Sequence, residues 1–179
     1  MSDMLITDLD TVAEVAKAHQ DAFEVMRYML QFDEDLDDTA LDAFIDRLAT
    51  PIVAAIDCTQ CANCCHNLTV YLTEDDSQRL GQHLGMTQVA FQAAYIDHES
   101  AQANDEWGCF KQQPCALLKG KLCSVYDARP DSCRRYPQFT PDFRWVLDDL
   151  IEGAALCPII LNLLLKLQPL VDAGIDKHL

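Results

Sequence analysis

Cysteines set the chemistry open to this chain: Cys58-x2-Cys61-x2-Cys64-Cys65 forms one run, and Cys109, Cys115, Cys123, Cys133 and Cys157 follow at long range. A thiolate is a nucleophile, a redox centre or a soft metal ligand. Cysteines three residues apart point inward from one turn around a shared ion, which is why C-x2-C recurs in zinc and iron–sulfur sites. The adjacent Cys64 and Cys65 leave the backbone in different directions, which suits two ions or opposite sides of one polynuclear site. Cys115, Cys123, Cys133 and Cys157 sit in turn or element-edge contexts from which a thiolate reaches inward. The expected metal ligands are therefore Cys58, Cys61, Cys64, Cys65, Cys115, Cys123, Cys133 and Cys157.

Nine cysteines in 179 residues are far more than packing requires, so the redox compartment decides their use. The amino end has no positively charged region ahead of an apolar one; Asp8, Asp10, Glu14 and Asp21 occur there instead. The expectation is a cytoplasmic protein with reduced thiols, where a dense, odd-numbered set points to metal rather than disulfides. The longest apolar run, Pro158 to Leu165, is well short of the roughly 20 residues that span a bilayer, so no membrane association is expected.

Two cofactors fit. Cys58, Cys61 and Cys64 have the opening spacing of the bacterial ferredoxin run, and Cys157-Pro158 supplies a C-P dipeptide much later, which favours an iron–sulfur cluster, [4Fe–4S] first. The paired C-x2-C knuckles of a zinc ribbon are missing, and zinc stands as the alternative. In either case the ligand thiolates outnumber the positive charge of the metal. Lys119, Lys121, Arg129, Arg134 and Arg135 lie close in sequence to Cys123 and Cys133, either to stabilise sulfur or as a solvated basic surface. His66 reads as a surface histidine, Cys109 as a small apolar residue, and Tyr126 and Tyr136 as packing anchors. The remaining histidines have no partner at a catalytic spacing, and no nucleotide-binding glycine pattern or HExxH is present. No catalytic residue is assigned, and whether the chain is an enzyme stays open.

The elements that must position these thiols read as mostly α: a single domain with helices around an irregular, cysteine-lined metal core and a little β. Leu9, Val12, Val15, Ala22, Met26, Met29 and Leu30 mark the buried face of a first helix, and Leu41, Phe44, Ile45, Leu48, Ile52 and Ile56 that of a second. Residues 1–57 are expected as an antiparallel helical pair, 58–157 as the metal-binding region and 158–179 as a terminal helix. Within the middle region, Leu68 to Leu72 suggests a strand, Thr73 and Asp76 a capping box, and Thr87 a second helix start. His98 to Glu106 reads as loop, Lys119-Gly120 as a hairpin turn, and Phe143 to Leu147 as a strand.

The net charge is −16, and residues 1 to 50 carry thirteen acids against Lys17, Arg27 and Arg47. Such a face repels nucleic acid and suits a basic protein partner.

In combination, Cys58-x2-Cys61-x2-Cys64-Cys65, Cys115-Ala116-Leu117-Leu118, Cys123-Ser124-Val125-Tyr126, Arg129-Pro130-Asp131-Ser132-Cys133-Arg134 and Tyr136-Pro137 resemble the YkgJ-type cysteine-cluster family, a zinc- or iron-chelating domain named for its CxxCxxCC pattern. The resemblance spans about Cys58 to Cys157 and implies a metal or cluster site of open identity. A related domain in flagellin lysine methylases implies an iron–sulfur cluster and, more remotely, protein modification. Cys109 is extra to the pattern, and the acidic helices before Cys58 lie outside it.

Overall fold

The computed structural model describes residues 4–179, apart from the Asp176 side chain. In chain order the elements are α1 (Leu9–Gln31), α2 (Asp38–Ala55), α3 (Cys58–Cys61), α4 (Asn63–Asn67), β1 (Tyr71–Leu72), α5 (Glu74–His83), α6 (Gln88–Tyr95), β2 (Ile96–Asp97), α7 (His98–Gln102), β3 (Gly108–Phe110), β4 (Leu118–Lys119), β5 (Leu122–Cys123), α8 (Asp131–Arg135), α9 (Phe143–Gly153) and α10 (Pro158–Asp172). The fold is mostly helical with a little strand, as the apolar periodicity predicts. It packs as two compact units, Met1–Asp57 with Pro137–Leu179, and Cys58–Tyr136. Among the described residues no helix is long and apolar enough to cross a membrane.

The first unit is organised by α10, which is buried at every position from Pro158 to Leu164. A helix that is apolar all round belongs at the centre of a bundle. Both α1 and α2 pack chiefly on α10 and α9, so the antiparallel pair expected of them is instead two helices bridged by the carboxy-terminal ones. Periodicity identifies the buried face of a helix without naming what covers it. Asn162 is a buried polar residue of α10: its amide donates to Ile6 O at 2.8 Å and Pro158 O at 2.7 Å and accepts from Ile6 N. Residues 143–147, expected as a strand, begin α9 instead. The Asp42 carboxylate accepts the backbone N–H groups of Asp142 and Phe143 at 2.8 and 2.9 Å, capping the helix from α2, and Phe143, Leu147, Leu150 and Ile151 then form its buried face.

The second unit carries the long cysteine run. Its three-stranded antiparallel sheet has the order β1-β3-β2, with Tyr71 opposite Cys109 and Ile96 opposite Phe110. Leu72, Leu80, Phe91, Ile96, Phe110, Leu117, Val125 and Ala128 form its core. Thr73 and Asp76 make the expected capping box for α5, and Thr87 caps α6. The stretch from His98, expected as loop, starts with the short helix α7 because the Asp97 carboxylate accepts from Ser100 N. The hairpin of β4 and β5 turns at Lys119-Gly120, where Gly120 has φ 63°, and Ser124 closes it by donating both N–H and Oγ–H to Leu117 O at 2.8 Å.

Asp76, only 1% exposed, ties this unit together. One oxygen of its carboxylate accepts from Thr73 N at 3.0 Å; the other accepts from Asp131 N at 3.2 Å and from Arg79. The Arg79 guanidinium also reaches the Asp131 carboxylate at 3.0 Å and Arg129 O at 3.1 Å. A buried carboxylate thus joins the start of α5 to the segment that carries Cys133. Removing one side of a buried charge pair leaves the other uncompensated. Asp76→Ala is therefore expected to lower the stability of this unit by about 3 kcal/mol or more. Denaturant unfolding in a Trp145→Phe background leaves Trp107 as the reporter in this unit. A midpoint that does not move would contradict the assignment.

Candidate metal centre

Two single turns carry the cysteine run: α3 holds Cys58 and Cys61, and α4 holds Cys64 and Cys65. Between them Ala62 adopts φ 58°, a left-handed conformation that a non-glycine residue holds only when its surroundings enforce it. This reversal separates the directions of the two cysteine pairs. Cys64 Sγ and Cys65 Sγ stand 4.0 Å apart. Cys115 N donates to Cys65 O at 2.9 Å, fastening the pre-hairpin loop to α4. Cys123 lies on β5, against which α3 packs, and Cys133 lies on the helical turn α8. Ser132 Oγ donates to Tyr71 O at 2.7 Å, fixing α8 on β1.

These ties bring Cys65, Cys115, Cys123 and Cys133 within electrostatic reach of one another. The hydrogen bond with Cys64, then burial, then the Cys64 charge push the Cys65 thiol well above its ordinary range. Burial, reinforced by the thiols of Cys65 and Cys123, raises Cys115. Burial and Cys65 raise Cys123, and burial followed by Cys115, Cys65 and Cys123 pushes Cys133 up to about 12. The Arg129 guanidinium opposes the shift at both Cys65 and Cys123.

A gathering of half-buried thiols that penalise one another's ionisation lacks positive charge, and a bound cation supplies it while displacing the protons. In donor chemistry the set fits zinc or iron. As they stand, no three His, Cys, Asp or Glu side chains among the described residues have the spacing to hold an ion, so the thiols are assembled but not closed around a point.

Other expected residues separate. Cys109 is buried in the central strand β3, where its thiol donates to Asp97 O at 3.5 Å, in keeping with a packing role. It shares with Cys115 a cavity of ≈ 210 Å³ lined also by Asp97, Ser100 and Lys111. His66 is exposed, and so is Cys58. Cys157 belongs to the first unit, where it is the buried N-cap residue of α10. Of the nearby cations, Lys119, Lys121, Arg134 and Arg135 are exposed, whereas Arg129 is half-buried with its guanidinium 3.6 Å over the Tyr126 ring. The sequence offered no signal that ranked Arg129 above the other four.

The raised thiols have a consequence for pH. In the metal-free chain the unfolded state ionises first, so the contribution of Cys133 is whole below its ordinary 9.0 and is lost as pH rises toward about 12. The denaturation midpoint of the metal-free protein is expected to be flat up to about pH 8 and then to fall, and Cys133→Ser should flatten the fall. A profile level through pH 11, about two units past the ordinary thiol value, would contradict it.

Comparison with known proteins agrees with this donor set. The model of the CxxCxxCC family, described as a putative zinc- or iron-chelating domain, matches residues 57–151. No curated protein and no solved structure matches the chain. Every expected ligand except Cys157 falls within the matched segment, which covers more than half of the 179 residues. The chain belongs to the CxxCxxCC family of zinc- or iron-chelating domains.

Proposed function

We propose that the chain holds an iron–sulfur cluster and serves as a redox protein or as an accessory to a modification enzyme. The observation that carries this reading is the convergence of Cys65, Cys115, Cys123 and Cys133, with Cys64 beside them, from four separate stretches of chain, with the Arg129 charge acting on Cys65 and Cys123. All-sulfur donors suit iron–sulfur clusters, and the C-x2-C-x2-C run has the spacing used by one class of them. Cys58 and Cys61, one turn earlier, complete the proposed set within this unit. A bound cluster supplies one-electron transfer at a potential tuned by hydrogen bonds to its sulfurs and by burial. The protein's part is to hold the thiols together, limit water at them and supply compensating charge. The same reading places the chain in the reducing cytoplasm, where such thiols stay available.

Zinc is the second reading, and one distance favours it. The 4.0 Å between Cys64 Sγ and Cys65 Sγ is close to the edge of about 3.8 Å that zinc–sulfur bonds of about 2.3 Å impose on a tetrahedron. A zinc-stabilised module would do no chemistry and would act through protein contacts. For either cofactor we propose a basic protein partner at the acidic first unit. There Val25, Tyr28, Met29 and Phe32 are exposed at the spacing of one helix face.

Protein purified without oxygen from iron-replete cells is expected to contain iron and acid-labile sulfide in near-equal amounts, with broad visible absorption bleached by dithionite. Stoichiometric zinc without sulfide would overturn the cluster and leave the interaction module. For the partner, a synthetic Lys/Leu amphipathic helix should bind the full chain at low salt, and Phe32→Asp should weaken that binding at least tenfold. Equal binding by the variant would reduce the effect to bulk charge.

A further inference from the structure

Arg129 is built into the second unit in a way that a solvated surface arginine is not. Its carbonyl accepts from the Arg79 guanidinium at 3.1 Å, which ties its backbone to the Asp76 network. Its own guanidinium carbon lies 3.6 Å over the centre of the Tyr126 ring, a stacked position that restricts how the planar group turns. In that position Nε is buried and has no hydrogen-bond partner. Buried N–H groups are almost always paired, and an orphan calls for an acceptor that arrives with a ligand or a change of state. The neighbours within reach of its charge are the sulfurs of Cys65, from α4, and Cys123, from β5. A protonated thiol is a weak acceptor; a thiolate on a metal is a charged one. A metal bound by these thiols would therefore also supply the Nε–H with a charged acceptor.

We propose that Arg129 is the positioning residue of the metal centre: stacked on Tyr126, it presents its buried Nε–H to the metal-bound sulfur of Cys65 or Cys123 and offsets part of the ligands' negative charge. This rests on the cysteine metal site argued above, but not on which metal occupies it. Lysine would not substitute, because an ammonium on a flexible stem neither lies flat on the ring nor carries an Nε–H in that place. Arg134, which donates to Asp127 O from an exposed position, is the matched control for bulk charge.

The test titrates cobalt(II) into the reduced full-length chain, reading affinity by competition and the sulfur-to-cobalt charge-transfer band by absorption. A hydrogen bond to sulfur lowers the energy of its donor electrons and moves that band to shorter wavelength. Arg129→Gln is expected to weaken cobalt binding by about ten- to a hundredfold and to shift the band to longer wavelength. Arg134→Gln should leave both unchanged, and Arg129→Lys should recover part of the affinity with the band still displaced. Native band position and affinity in Arg129→Gln, or equal effects in Arg134→Gln, would overturn the proposal. If Arg129→Gln does not fold, Tyr126→Leu decides: it keeps the charge and removes the platform, so an unmoved band overturns the proposal and a shift to longer wavelength supports it. A native chain that shows no charge-transfer band would remove the metal site itself, and Arg129's role with it.

Discussion

Thiols that share a metal stand close together, and each is harder to ionise for the others' company. That constraint shapes the whole Cys58–Tyr136 unit. Burial and mutual repulsion push Cys133 up to about 12, so without a bound cation these groups favour protons over thiolates. Assembly therefore has to be supported by interactions that do not involve sulfur. The unit meets this with hydrogen bonds to backbone carbonyls: Cys115 N to Cys65 O, Ser124 N and Oγ to Leu117 O and Ser132 Oγ to Tyr71 O each fasten a cysteine-bearing segment to its neighbour. None of these bonds depends on the protonation state of a thiol.

The Asp76 network is the strongest of these supports because it is buried and charged at once. A carboxylate 1% exposed is costly unless it is hydrogen-bonded and paired, and here Thr73 N, Asp131 N and Arg79 donate to its two oxygens. The capping box of α5, ordinarily a local device for starting a helix, is thereby extended into a long-range clamp on Arg129 and Asp131. Two residues further along, the same segment delivers Cys133. One network thus fixes both the turn that carries Cys133 and the backbone of Arg129, the cation whose charge acts on Cys65 and Cys123.

How much of this was legible in the sequence follows from how local each determinant is. The α2 face, the Thr73–Asp76 box, the Gly120 turn and the start of α10 at Pro158 all depend on residues within a few positions of one another, and appear as expected; in α1 Val12, Met26 and Leu30 are buried as expected, but Met29 is exposed while Ala16 and Phe23 are buried. The α9 helix was missed because its cap, Asp42, lies 100 residues from Asp142. The partners of α1 and α2 were missed because a buried face carries no address. At the site, cysteine spacing identified the donor type and most candidates. It could not separate Arg129 from Arg134, since that distinction is made by the Tyr126 ring and by Arg79, fifty residues upstream.

The choice between zinc and a cluster turns on a conflict between number and distance. A tetrahedral zinc takes four thiolates, and the second unit offers Cys64, Cys65, Cys115, Cys123 and Cys133 in one neighbourhood, with Cys58 and Cys61 on the adjoining turn. One zinc ion leaves sulfurs over, and a second ion adds ligands that must also be neutralised. Against this stands the 4.0 Å between Cys64 Sγ and Cys65 Sγ, short enough for both to sit on one ion. The two sulfurs are neighbours in sequence, however, so part of that closeness is covalent geometry rather than selection by a metal. The sulfurs from distant segments carry no such bias, since nothing but the fold brings Cys115, Cys123 and Cys133 to Cys65. They are the better guide to the occupant, and their number is the reason we propose a polynuclear sulfur-ligated centre rather than a single zinc ion.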